Sequence, residues 1–255
     1  MDRLHVQEEC LMHRFFADPE RRTEDGVYLS AEDARHAATV LRLRPGQQVQ
    51  VFLDGQLLDT EIISSDAKDV LVRILSVLPS TEPALSVTLF QGLPKSDKMD
   101  LIVQKATELG VSRIVPLIME RCVSRPDLKD AHRKTERWRK IAREAAKQSC
   151  RCAVPEIASP VSLRGLPDLP GLPETNIVPW EEAGSYGPLA FRNSHSSLSS
   201  LGILIGPEGG IDAEEIAFLK SAGFIPLTLG KRILRTETAG LAAVAAFMSL
   251  YGEME

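Results

Sequence analysis

The sequence is short of cysteine, of aromatic residues and of long apolar runs, and each shortage narrows the reading. Its four cysteines, Cys10, Cys122, Cys150 and Cys152, form no CxxC pair and have no ligand-spaced histidines. No metal site and no disulfide framework is therefore expected, and the thiols read as free. Ligation or oxidation at Cys150-Arg151-Cys152 is the lesser alternative. No apolar stretch approaches the ~20 residues of a membrane span; the longest candidate, Ala239 to Leu250, is too short. The opening MDRLHVQEEC is charged and has no apolar core, so no secretory signal is expected, residues 1–10 read as a loose extension, and the expected location is cytoplasmic. Positive charge is also in deficit. The formal net charge is −5, from 30 Lys and Arg against 35 Asp and Glu, which taken whole argues against a nucleic-acid partner.

Resolved along the chain, the charge says something different. Between Glu120 and Arg151 stand eleven Lys or Arg and five Asp or Glu, and one segment of this kind creates a field that attracts RNA whatever the global sum. The same segment predicts a helix over Ala131 to Ser149, with Trp138, Ile141, Ala142, Ala145 and Ala146 on its buried stripe. Arg133, Arg137, Lys140, Glu144 and Lys147 line another side at three- and four-residue spacing. An RNA-binding face and an ordinary solvated face are both open readings of that row.

A length of 255 residues, 44% hydrophobic and 25% charged, suits one large or two ordinary globular domains. The boundary is placed between residues 79 and 80. Up to Pro79 the chain is β-rich: His13 to Phe16, Gly26 to Leu29, Gln47 to Leu53, Leu57 to Ile63 and Val70 to Val77 read as short strands between Asp-Gly and Ser-Asp turns. A helix begins at Ser30 and stops at Pro45-Gly46. A small barrel around one helix is expected. Phe15 and Phe16 are adjacent, so one faces the core and the other points outward. Arg14, Arg35, Arg42 and Arg44 are candidate phosphate contacts or plain surface arginines.

After a linker at Pro79-Ser80-Thr81-Glu82-Pro83, the pattern alternates. Strands are expected at Leu85 to Phe90, Arg113 to Ile118 and Asn176 to Trp180, with a helix from Ser96 to Leu109, which argues for a mainly parallel sheet covered by helices. Residues from Ser159 to Thr175, rich in proline, read as a long connection or an irregular strand-loop-strand. Ser185 to Ser200 reads as a flexible polar loop with His195 exposed and inert.

The most informative stretch is Leu201 to Gly240. A buried strand, Leu201 to Ile205, runs into Gly206-Pro207-Glu208-Gly209-Gly210, and Asp212 with Glu215 begins a helix as a capping box. The unit then repeats: strand Ile225 to Leu229, loop Gly230 to Thr236, and a helix to Leu250 with Thr236 as its N-cap. Glycine loops joining strand ends to helices are where open α/β sheets bind ligands through the backbone. GPEGG is neither a P-loop nor GxGxxG, and Glu208, Asp212, Glu214 and Glu215 repel a polyanion, so a neutral or zwitterionic ligand suits it better than a phosphate. A plain β-to-α turn is the bland reading of GPEGG taken alone. The last helix is apolar nearly all round, which demands burial in a core or against another subunit. Lys231, Arg232 and Arg235 precede its positive end and favour anything negative.

Together, IGPEGG and LGKRILRTETAG resemble the ribosomal small-subunit methyltransferase E family of the SPOUT class. HRFF (from His13), HAATVLRLRPG (from His36), KSDKMDLIVQKATELGV (from Lys95) and RWRKIAREAAKQSCR (from Arg137) are similar to family segments in family order. The resemblance implies an α/β protein with an N-terminal PUA-like β-barrel and a C-terminal SPOUT domain, residues 80–255, closed by a deep trefoil knot. It implies a homodimer that transfers a methyl group from S-adenosylmethionine to N3 of one uridine in 16S rRNA, within the 30S subunit. Cofactor contacts are then assigned to Val178, Trp180 and Glu181, to Leu204, Ile205, Gly206, Pro207, Glu208, Gly209 and Gly210, and to Leu229, Gly230, Ile233, Leu234 and Thr238. RNA contacts are assigned to Arg42, Lys95, Arg121, Arg133, Arg137 and Lys140. Removing the N3 proton of uridine spreads charge onto O2 and O4, and Arg235, with Arg14, is assigned to stabilise it. Glu237 or Glu208 serves either as general base or as a positioning carboxylate. Methylation of another RNA site, and a non-catalytic RNA-binding assembly factor, are the competing functions.

Overall fold

The computed structural model describes residues 12–254; the extension expected over residues 1–10, with Cys10, lies outside them. The chain divides into two compact units, one of the described residues up to Glu82 together with Cys150–Ala153, the other of Pro83–Ser149 and Val154 onward.

The first unit is a closed barrel of β1 (Arg14–Arg22), β2 (Val27–Leu29), β3 (Gln48–Leu53), β4 (Gln56–Ser65) and β5 (Val70–Val77), ordered β1-β2-β5-β4-β3. β1 closes it by pairing parallel with β3, and the other pairs are antiparallel. Between β2 and β3, Ser30 caps α1 (Ala31–Arg35), which widens into a π-type turn over His36–Val40, five residues short of the expected stop at Pro45. Alternation does what was expected at the two phenylalanines: Phe15 is buried in the barrel core, while Phe16 points to the other side and packs at 4.9 Å on Phe52. Cys152, from far along the sequence, joins Phe52 and Leu57 there. Buried Arg151 pairs with Glu82, which also accepts the Ala153 N–H. A charge excluded from water needs such a partner.

The second unit is a parallel sheet with helices. Its elements are β6 (Ser86–Gly92), α2 (Lys98–Glu108), β7 (Arg113–Ile118), α3 (Leu128–Gln148), β8 (Glu156–Ile157), β9 (Val161–Ser162), β10 (Thr175–Pro179), α4 (Pro188–Ser194), β11 (Ser200–Ile205), α5 (Ala213–Ser221), β12 (Phe224–Leu227) and α6 (Thr236–Leu250). A 3-10 turn, Leu163–Asp168, interrupts the connection after β9. The sheet order is β12-β10-β11-β6-β7-β8, with β9 also on β7. β6 and β11 at its centre carry the continuous apolar runs that burial on both faces requires. From the edge strand β12 the chain runs back to lay α6 against β11, β6 and α2. α6 buries Gly240, Ala243, Val244, Phe247 and Met248. Just past it, the Glu253 carboxylate accepts the N–H groups of Ala84 and Leu85 at 3.0 and 2.8 Å, fastening the end of this unit to its beginning.

Two expectations fail here. The segment from Ser185 to Ser200 is not all loop: α4 forms inside it because Phe191, fully buried, anchors an otherwise polar run, and the His195 ring stacks on Phe191 at 4.2 Å and lies partly buried. Thr236 is not the N-cap of α6. That position falls to Arg235, without a side-chain cap, because the Thr236 hydroxyl is engaged elsewhere. Among the described residues no helix is long and apolar enough to cross a membrane, and Cys122, Cys150 and Cys152 are free thiols.

Candidate active site

The carboxyl ends of β10, β11 and β12 meet two glycine loops. The first, Gly206 to Gly210, is docked on its neighbours at very close range. A Cβ on Gly92, at the end of β6, would lie 2.6 Å from the Pro207 nitrogen, and one on Gly209 would lie 2.9 Å from Cβ of Arg121. Only glycine lets these backbones approach so closely. Arg121 holds the loop from outside, donating to the Gly209 carbonyl and the Asp212 carboxylate at 3.1 Å each. The expected capping box of Asp212 and Glu215 is present, and Glu215 also accepts the Glu120 N–H at 2.8 Å.

Behind the loop runs a buried polar relay. Gln91 Nε2 donates to the Thr236 hydroxyl at 2.9 Å, and that hydroxyl donates to the Gly206 carbonyl at 2.6 Å. Gln91 and Thr236 are buried, so each hydrogen bond substitutes for lost water. The central strand, the first loop and the start of α6 thereby share one bonding chain.

Two adjoining cavities open at this place. One, of about 630 Å³, lies against β10 and the second loop; the other, of about 520 Å³, lies against the first loop and the start of α6. They share Pro179, Glu181, Ile233, Leu234 and Ala239. Trp180, Leu229 and Gly230 line the larger, and Ile205, Gly206, Pro207, Glu208, Gly209, Gly210 and Arg235 the smaller. Val178 and Leu204, expected in the same set, bury their side chains completely in the core, and Thr238 is exposed outside both cavities. The Trp180 ring is held from behind by Lys220, whose ammonium stands 5.0 Å from the ring centroid.

The smaller cavity has a charged wall. Lys98 Nζ lies 3.1 Å from both Glu208 Oε1 and Glu237 Oε2, and the Lys95 N–H also donates to the Glu208 carboxylate. The hydrogen bonds to Glu208 and then Glu237 raise the Lys98 pKa. Burial pushes Glu208 up, but its own N–H, the Lys95 N–H and the Lys98 ammonium outweigh it and hold the carboxyl below its ordinary range. Glu237 is held low by its own N–H, against burial, with Lys98 and the charge of Arg235 adding to the effect. Both carboxylates are ionised at neutral pH. Lys231, Arg232 and Arg235 are exposed, and their side chains make no hydrogen bond or ion pair among the described residues; Ile233 between them is 92% exposed.

The other assigned residues lie as follows. Arg14 belongs to the barrel, where Nε donates to Gln50 at 2.9 Å; Arg42 is exposed there at φ 53°. Lys95 is exposed in the turn before α2, and Arg121 is the loop clamp. Arg133, Arg137 and Lys140 share the exposed face of α3, as their spacing requires, with Arg133 paired to Asp130 and Arg137 to Asp100. Sequence reasoning missed Lys98, Gln91, Ser185 and Thr228 as site residues. Lys98 had one signal, its place inside the KSDK segment; nothing local marks Gln91.

A carboxylate-lined cavity bounded by backbone loops on a parallel sheet, in a chain that also holds a separate five-stranded barrel, is the setting in which the family matches define an RNA methyltransferase with a PUA domain. Residues 81–248 match the RNA methyltransferase domain family and residues 29–75 the RNA methyltransferase PUA domain family. The ribosomal RNA small subunit methyltransferase E of Bacillus subtilis is 37% identical over 92% of this chain and 95% of its own, and that of Mycobacterium tuberculosis 32% identical over 91% and 89%. The enzyme of that name from Neisseria gonorrhoeae, solved bound to S-adenosyl methionine, is 34% identical over 96% of this chain and all of its own, with a TM-score of 0.82. A methyltransferase of Legionella pneumophila solved with the cofactor SAM is 33% identical over 93% and 97%, with a TM-score of 0.81. The chain belongs to the ribosomal RNA small subunit methyltransferase E family.

Proposed function

We propose that the protein methylates N3 of one uridine in 16S rRNA with S-adenosylmethionine as donor. The observation that carries this reading is the pair of adjoining cavities bounded by both glycine loops, with Arg235 at the edge of one of them. The residues present suit the cofactor. The backbone of Gly206–Gly210 and Leu229–Leu234 offers polar groups at close range, Trp180 and Leu229 offer apolar surface, and Glu181 and Glu208 in the lining, with Glu237 tied in through Lys98, favour a cation. When bound, the cofactor supplies an electrophilic methyl group on a sulfonium, transferred by in-line displacement.

The chain's own residues do the rest. Exposed Arg235, free of hydrogen-bonded partners and at the positive end of α6, stabilises the negative charge that develops on the uridine oxygens as the N3 proton passes to solvent water and N3 takes the methyl group from the sulfonium, which leaves as a neutral thioether. Glu237 and Glu208, held ionised by backbone N–H groups and by Lys98, serve as positioning carboxylates in preference to acting as base. Lys231 and Arg232 flank the cavity mouth as phosphate contacts, with exposed Ile233 next to them. Arg133, Arg137 and Lys140 on α3, with Arg42 of the barrel and Lys95, supply further RNA contacts; Arg14 is assigned to the target nucleotide. The 30S subunit is the proposed substrate particle and the cytoplasm the proposed location. The return of the chain from β12 to place α6 over β11 and β6 supports the knotted path. On α6, Ala242 is exposed and Leu241, Ala245 and Ala246 are only half-buried, which supports a homodimer that covers them.

The test is to incubate the protein with S-adenosylmethionine and either 30S subunits or naked 16S rRNA from cells lacking the activity, then map nucleosides by mass spectrometry. N3-methyluridine at a single site is expected, with Arg235→Ala lowering kcat by about a hundredfold at saturating RNA. Cofactor binding without N3-methyluridine on either RNA would overturn the assigned substrate.

A further inference from the structure

The β6–α2 turn grips the first glycine loop at three points. Gly92 meets Pro207 at a distance no other residue allows, the Lys95 N–H bonds to Glu208, and Lys98 bonds to Glu208. Lys98 alone also reaches Glu237, in the first turn of α6. One ammonium therefore ties together three segments, of which its own lies more than a hundred residues before the other two. They are the start of α2, the loop after β11 and the start of α6. The two carboxylates it holds are each only partly exposed, with Glu237 at 17%, and two carboxylates that close require a counter-charge to remain ionised together.

We propose that Lys98 is the positioning residue of the methyl-donor site, holding together Glu208, which lines the cavity, and Glu237 beside it, so that the three groups leave one net negative charge at the cavity wall, where a cationic donor is favoured. This rests on reading the cavity as the S-adenosylmethionine site. Lys98 fixes where the first loop and the head of α6 stand, and it also fixes their charge. With Lys98 in place, both carboxylates lie below their ordinary range and do not titrate between about pH 5.5 and 8. Without it, burial and mutual repulsion raise one of them, so that it takes up a proton as pH falls and the wall loses its attraction for a cation. The other charged groups facing this wall are Arg235 and Glu181 in the same cavity, and Arg121 and Asp212 across the loop. None of them bridges the pair.

The experiment is a calorimetric titration of the full-length protein with S-adenosylmethionine at pH 8.0 and 5.5. Wild type is expected to bind with little pH dependence. Lys98→Met is expected to weaken binding by about tenfold or more at pH 8.0, the scale of a misplaced binding group, and by a further ~3- to 10-fold at pH 5.5. Lys98→Arg should restore most of the affinity. Adding Glu208→Gln to Lys98→Met should abolish the extra pH dependence, because no carboxylate pair is left. Circular dichroism melting of each variant identifies any that is unfolded, and the arginine variant then carries the test. If Lys98→Met binds with wild-type affinity at both pH values, the positioning role is wrong; if it loses affinity equally at both, Lys98 does not keep the carboxylate pair charged and that part of the proposal is overturned. If wild type itself does not bind S-adenosylmethionine, the reading of the cavity is what fails.

Discussion

The hydroxyl of Thr236 donates to the carbonyl of Gly206 at 2.6 Å while accepting from Gln91. The first residue of the last helix is thus hydrogen-bonded to the first residue of the first glycine loop, across thirty positions of sequence.

Replacing Thr236 with Val keeps the shape, takes the partner from the part-buried Gly206 carbonyl and leaves one of the two buried Gln91 amide hydrogens unpaired, the other remaining on the Gly92 carbonyl. The expected cost is about 2–4 kcal/mol of stability, since each orphaned buried group costs about 1–3 kcal/mol, together with a raised KM for the methyl donor as Gly206 is released. Thr236→Ser should recover most of both. Chemical denaturation and steady-state kinetics on the three proteins decide it; a valine variant as stable as wild type would mean the relay carries no weight.

Gly92→Ala places a methyl group 2.6 Å from the Pro207 nitrogen, which is backbone and has no rotamer to escape into. Overpacking of that kind costs roughly 1–3 kcal/mol, and it displaces the loop that lines the cavity. Donor affinity should fall by about tenfold or more. Gly165→Ala is the control: its Cβ would meet nothing closer than 3.4 Å, and its cost should stay within about 0.5 kcal/mol. Equal effects from the two alanines would show that the close approach is unimportant.

Lys140 is exposed on α3 and makes no ion pair among the described residues, whereas Arg137 on the same face is paired with Asp100. Lys140→Ala should weaken RNA binding and reduce the slope of log affinity against log salt by about 0.7–0.9, one phosphate contact, without changing donor affinity. Filter binding across a salt series measures this, and an unchanged slope would remove Lys140 from the RNA surface.

Much of the fold was legible because its signals are local. β5 and β7 fall where alternation and apolar runs put them, and the capping box of Asp212 and Glu215 is present as the spacing predicts. The two glycine loops were equally plain, being strand ends with glycines in the right places. What escaped was non-local. Thr236 sits where a cap residue belongs, but Gly206 and Gln91, distant in sequence, compete for its hydroxyl and win. Lys98 looked like one more helix lysine until folding brought Glu208 and Glu237 to it. Val178 and Leu204 lie on strands covered on both sides and bury their side chains in the core, so any contact they make at the site is through the backbone, as expected of them. The α4 turn depends on one buried ring, Phe191, that polar neighbours concealed.

The bonds from Ala84 and Leu85 to Glu253 span 169 and 168 residues, and α6, which carries Thr236 and Glu237, is the last helix of the chain. Contacts of such separation form late and slowly, since a long loop must close before any of them is rewarded. A ribosome making this protein must therefore synthesise everything from β6 through the start of α6 before the donor site can exist. Competence to modify ribosomal RNA then waits on α6, whose first residues close the bonding chain to the first glycine loop.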